Sequence, residues 1–141
     1  MGFHLLIPVS AGVVGAVLLA AYARSVGRRA DRVYAGGLVV AALIYVGFAL
    51  FNGAAPHALG LEGVGVVLFT GFAVAGLRGH PLLLAVGWAL HMVWDLYLHP
   101  ADGGGYAPWW YPVACVGFDL WISGFIAGSF FRNRSDRSTE A

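Results

Sequence analysis

The sequence predicts an all-helical integral membrane protein, a bundle of five transmembrane helices in a single domain over residues 1–131, followed by a polar tail at 132–141. Three observations predict it. The 141 residues are 60% hydrophobic and only 11% charged, where a soluble domain carries ~25% charged residues; so short a chain has too little interior to hide that much apolar surface from water. Five apolar segments, residues 3–23, 33–52, 62–78, 81–99 and 109–131, each come near the ~20 residues that cross the hydrocarbon core as a helix. Every basic residue falls in alternate connections between them.

The first segment lacks the basic residues that open a secretory signal and is longer than its apolar region, so it is expected to stay as a helix. Its Ala11-x3-Gly15 pair, like Gly124-x3-Gly128 in the fifth segment, has the small-residue spacing of close helix contacts, within the chain or in a homo-oligomer or larger membrane complex. The first connection is short and basic, Arg24 to Arg32. The second segment leads into a neutral loop, Gly53 to Leu61, holding Pro56 and His57. The third begins at Glu62, where the helix dipole favours an acid, and is diluted by Gly63, Gly65 and Gly71. A tight turn, Arg78 to Pro81, opens the fourth. A glycine-rich turn, Pro100 to Pro108, contains Asp102 and leads into the fifth. Tyr106, Trp109, Trp110 and Tyr111 cluster there as an interfacial aromatic belt. No segment alternates like a β-barrel strand, and backbone in lipid must satisfy its own hydrogen bonds, which leaves helices. The tail is expected to fray.

All eight basic residues are arginines, and they lie in the first connection, the third connection and the tail. These share one side of a five-helix bundle. The positive-inside rule makes that side cytoplasmic, with the N-terminus outside, in a multi-pass protein of the plasma membrane. A net charge of +1 gives no case for nucleic-acid binding; the expected surroundings are the lipid bilayer. The absence of lysine excludes a retinal Schiff base, and the single cysteine excludes an intrachain disulfide. Five segments without an internal repeat do not divide into the two halves of an inverted-repeat transporter.

Few ionisable residues remain inside the apolar segments. His91, Asp95 and His99 follow one another at intervals of four in the fourth, and Cys115 and Asp119 do so in the fifth. Each step of four rotates ~40° and rises ~6 Å, so each set forms a stripe on one helix face. The two segments are antiparallel and joined by a short turn, which puts Asp119 at the depth of His91. A charge near the bilayer centre is costly and marks a functional site by default. Two carboxylates at that depth with no arginine beside them leave three solutions: a protonated acid, a histidinium pair, or a divalent metal between carboxylates and neutral imidazoles, with zinc, copper or iron as the ions these ligands suit.

The candidate metal ligands are therefore His91, Asp95, His99 and Asp119, with Asp95 or Asp119 available as general base. His91 and His99 stand ~12 Å apart along one axis, too far for one ion. The expected set is His91, Asp95 and Asp119, or else His99 and Asp95 with a residue of another helix. Glu62, His57 and Cys115 are outer-side contributors, each with a plainer role as helix-start acid, solvated loop residue and small apolar filler. His99 has a plainer role too, capping a helix C-terminus. His4 and His80 lie at the interfaces.

The runs His91-Met-Val-Trp-Asp95, His99 and Tyr111-Pro-Val-Ala-Cys115-Val-Gly-Phe-Asp119 resemble a group of small bacterial multi-pass membrane proteins, over residues 91–119 of this chain. The resemblance implies a shared intramembrane polar site and no particular activity. Histidines and aspartates gathered inside helices are also similar to the zinc sites of alkaline ceramidases and adiponectin receptors, and to copper sites of membrane monooxygenase subunits. Seven helices and a serine partner set the ceramidase-type proteins apart from this chain. Three functions fit these residues: a metalloenzyme acting on a lipid-like or membrane-soluble substrate, a proton or cation pathway, and a non-catalytic subunit or assembly factor. Residues 82–90 and 120–131 offer only Ser123 and Ser129 as polar steps beyond two tryptophans, so a through-path is incomplete.

Overall fold

A computed structural model describes residues 3–99 and 105–139. Asp102 lies outside the described residues. Five α-helices follow in order: α1 Phe3–Ser25, α2 Ala30–Phe51, α3 Pro56–Arg78, α4 Leu82–Leu98 and α5 Trp110–Thr139, with a single 3-10 turn, Gly27–Arg29, before α2. No strand occurs among the described residues. Four helices are long and apolar enough to cross a membrane; α4, with 17 residues, is the short one.

Two boundaries differ most from the sequence expectation. Helix α3 starts at Pro56 rather than at residue 62. Proline suits the first helical position, because its missing N–H would have no intrahelical partner there and its φ is already helical. His57 is consequently an exposed residue of the first helical turn rather than a loop residue, and Glu62 lies in the second turn, buried, rather than at the head. The glycines of α3 leave it continuous. The polar tail carries α5 on as helix to Thr139.

The helices close into a ring: α5 packs broadly on α1 and on α4, α3 joins α4 to α2, and α2 also touches α1 and α4. α1 and α5 lie side by side, with His4 near Trp109 at one end and Arg24 over Phe125 at the other. Their closest approach is at two glycines. A Cβ on Gly12 would sit 1.9 Å from the Ala114 carbonyl oxygen, and one on Gly117 would sit 2.4 Å from that of Val9. Neither belongs to the small-residue pairs picked out in the sequence. Gly15 of the first pair touches the Phe118 ring, whereas Gly124 faces open space.

Large apolar residues face outward and small residues line the interior. Leu6, Ile7, Leu18, Val40, Phe51 and Val67 point outward, with Phe51 92% exposed. The interior is lined by Ala16, Ala20, Ala35, Ala42, Ala73 and Ala85 around Trp88, Leu38, Leu84 and Ile122. In helical bundles set in lipid there is little hydrophobic gain from bringing helices together, and association relies on close packing of small residues and on interhelical hydrogen bonds. One such bond runs from the Ser123 hydroxyl on α5 to the Ala85 carbonyl on α4, at 2.9 Å. It fixes the register of the two helices that carry the site.

Candidate intramembrane metal centre

Helices α4 and α5 present their ionisable stripes to one another. His91 and Asp119 are each the tenth residue of their helices, ~14 Å from the first residue by helical rise, which places both near mid-height. His91 Nδ1 and Asp119 Oδ2 are hydrogen-bonded at 2.8 Å. Asp95, one turn along α4, brings Oδ2 to 3.5 Å from the same nitrogen. One imidazole nitrogen thus stands between two carboxylates. His91 and Asp95 are 0% exposed and Asp119 is 1% exposed. One ligand-type atom from each of the three lies within 4.8 Å of the others.

The depth match inferred from the sequence, Asp119 level with His91, is the arrangement observed. His99 is elsewhere. Its Nε2 stands 3.0 Å from Glu62 Oε1, at an angle too poor for a hydrogen bond, and it takes no part in the His91 group. Glu62 also accepts from the Tyr106 hydroxyl and, at 3.4 Å, from Trp94 Nε1. Burial and the Glu62 carboxylate hold the Tyr106 phenol above its ordinary pKa, so it stays protonated and donates. The Asn52 side chain, at the end of α2, donates to the Tyr106 carbonyl at 2.9 Å and holds that residue over the cluster.

The two clusters meet at Tyr45, which the sequence reading passed over. Its ring stacks on His99 with centroids 4.0 Å apart and planes 12° apart, and lies 6.0 Å from the His91 ring. Its hydroxyl faces Asp95 without forming a hydrogen bond of normal geometry. A tyrosine in an apolar segment carries no distinguishing signal; only its position on the inner face of α2 could have marked it. Cys115 is half-buried and lies beside Tyr45 and Tyr111, near Asp95 and Asp119. Of the remaining candidates, His57 is exposed on α3 and His80 packs on Phe130 at the opposite end.

The inner cluster is short of partners. His91 Nε2 and both oxygens of Asp95 are buried without a hydrogen bond, a condition that costs ~1–3 kcal/mol per group in a folded protein. The arginines that could offset the two carboxylates are distant: Arg24 and Arg78 occupy the last turns of α1 and α3. Aromatic rings close the cluster on the other sides, with Phe69 4.8 Å and Trp88 6.3 Å from the imidazole.

No protein-family model, curated protein or solved structure matches this chain. Its chemistry therefore has to be read from these residues.

Proposed function

We propose that this chain is a five-span plasma-membrane protein, N-terminus outside, whose His91, Asp95 and Asp119 bind a divalent transition metal. The observation that carries the proposal is a fully buried set of three ligand-type side chains from two helices, with ligand atoms within 4.8 Å of one another and no arginine beside them. Zinc bonds of ~2.0–2.2 Å to oxygen and nitrogen put tetrahedral donors ~3.4 Å apart, so the donors stand within about 1.5 Å of ligand spacing. A dication supplies the positive charge that two desolvated carboxylates require, and it gives the unpartnered oxygens of Asp95 something to bind.

The five-span arrangement has its own support. At 17 residues, α4 is ~25 Å long and at the lower limit for crossing. Its ends meet the turn that holds Arg78 on one side and the aromatic belt on the other, and the positive-inside rule assigns the end that carries the arginines to the cytoplasm.

Three protein ligands leave a coordination position for water or substrate, as catalytic metal sites do. A metal held there would polarise a bound water or carbonyl, and the free oxygen of a monodentate Asp95 or Asp119 would take the proton. An apolar groove between α3 and α4, about 360 Å³ and lined by Leu68, Leu90, Val93 and Trp94, ends on Phe69, whose ring touches His91. That groove opens toward lipid and favours a membrane-soluble substrate.

Elemental mass spectrometry on protein purified in mild detergent without chelator tests the proposal. Near-stoichiometric metal in the parent, lost in His91→Ala and Asp119→Ala, is the expected result. A folded parent that holds no metal even after reloading overturns it.

A second reading draws on a separate observation. Glu62 and His99 form another buried acid–imidazole pair beside Tyr45, so two such pairs lie in series. Without metal, they would exchange protons with the outer surface. Ser123 is committed to the Ala85 carbonyl, so the series ends at His91 and stores protons rather than conducting them. Infrared detection of a carboxyl band that Asp119→Asn removes, in metal-free protein, separates this reading from the first.

A further inference from the structure

The opposite end of the bundle carries a cleft that the metal reading does not use. It measures about 920 Å³ and lies between the end of α1, the start of α2 and the last turns of α5, within the ~300–1,000 Å³ range of small-molecule sites. Arg24, Arg132 and Arg134 line it together with one acid, Asp31, an excess of two positive charges. Phe125, Ile126 and Phe130 supply apolar wall beside the polar Ser129 and Asn133. Cationic groups and aromatic surface in one cleft match an amphiphile with an anionic head.

Two of the arginines are held by neighbours. The Arg24 guanidinium lies 4.8 Å over the Phe125 ring, which orients its planar fork. Arg132 Nη2 donates to Ser129 Oγ at 3.2 Å. A guanidinium has five N–H donors, so both keep most of theirs available. Asp31, the acid that lines the cleft, is not within ion-pair distance of any of the three arginines. Planar forks of this kind recognise phosphate in two-point fashion, and basic pockets between helices at the cytoplasmic face suit acidic lipid head groups.

We infer that this cleft binds the phosphate head group of an acidic phospholipid, with Arg24, Arg132 and Arg134 on the phosphate and the lipid tail leaving along Phe125 and Phe130. The site stands independently of the metal centre. It needs three arms of chain, the ends of α1 and α5 and the start of α2, to be together at once, and lipid bound there would hold them so.

Native mass spectrometry of the full chain in detergent, titrated with phosphatidylglycerol and separately with phosphatidylcholine, tests the inference. The parent is expected to retain one phosphatidylglycerol in clear preference to phosphatidylcholine. Arg24→Ala with Arg132→Ala is expected to weaken that retention at least about fivefold for each arginine removed. Arg28→Ala with Arg29→Ala removes the same charge from the adjoining turn, outside the cleft, and is expected to preserve it. Equal losses in the two double variants mean general surface charge and overturn the inference, as does retention unchanged in the first. Arg24→Lys, which keeps charge and fold but loses the fork, is expected to fall between parent and alanine variant. Displacement of the lipid by millimolar glycerol 3-phosphate would assign the same groups to a soluble phosphate ester and overturn the lipid as ligand.

Discussion

The two buried acid–imidazole clusters use the same residue types and differ in how well they are satisfied. At Glu62, two hydrogen-bond donors and the His99 imidazole converge on one carboxylate. At Asp95 and Asp119, two carboxylates compete for one imidazole nitrogen, and Asp95 accepts no hydrogen bond. A carboxylate supplied with donors is stable as it stands and serves to hold helices and turn together. One left short of them is available to a ligand. The contrast supports a structural role for the Glu62 cluster and the proposed chemistry for the His91 cluster, although both are buried.

The largest effect that would break this contrast is in metal content. His91→Ala and Asp119→Ala are expected to abolish bound metal, while Glu62→Gln and His99→Ala leave it near the parent value by elemental analysis. Loss of metal in His99→Ala would merge the two clusters into one site.

Stability should show the reverse order. Glu62→Ala leaves the donors on Tyr106 and Trp94 without their acceptor, a loss of about 1–3 kcal/mol for the buried groups. Thermal unfolding in detergent is expected to show it, with Tyr106→Phe, which removes one donor and orphans less, falling well short of that loss.

The third prediction concerns the seam that positions Asp119. Gly117→Ala would bring a methyl to 2.4 Å from the Val9 carbonyl oxygen and force α5 away from α1, an overpacking cost of about 1–3 kcal/mol. Metal affinity is expected to fall with stability, since Asp119 lies two residues further along the helix. Gly124→Ala, facing open space, is expected to change neither, in the same melting and binding assays.

The smallest effect is expected from Tyr45→Phe. The ring stacked on His99 is kept and only the hydroxyl facing Asp95 is lost. Metal affinity measured by competition with a chelator should move less than about tenfold, within the ~1 kcal/mol scale of one neutral hydrogen bond.

What could be read along the chain was the number of helices, and that most of them are long and apolar enough to cross a membrane. These follow from run length and composition, because ~20 apolar residues suffice to span lipid wherever they pack. Helical periodicity likewise put His91 and Asp95 on one face, and equal distance from a shared turn put Asp119 opposite. Three-dimensional packing decided the rest. It gave His99 to Glu62 rather than to Asp95, set Tyr45 between the clusters, placed the α1–α5 contact on Gly12 and Gly117, and gathered Arg24, Arg132 and Arg134 around one cleft. Each of these depends on how a helix is rotated about its own axis against its neighbours. One residue of shift turns a side chain by ~100°, and that rotation is chosen by which small residues let two backbones meet, a property of pairs of helices that no single segment contains.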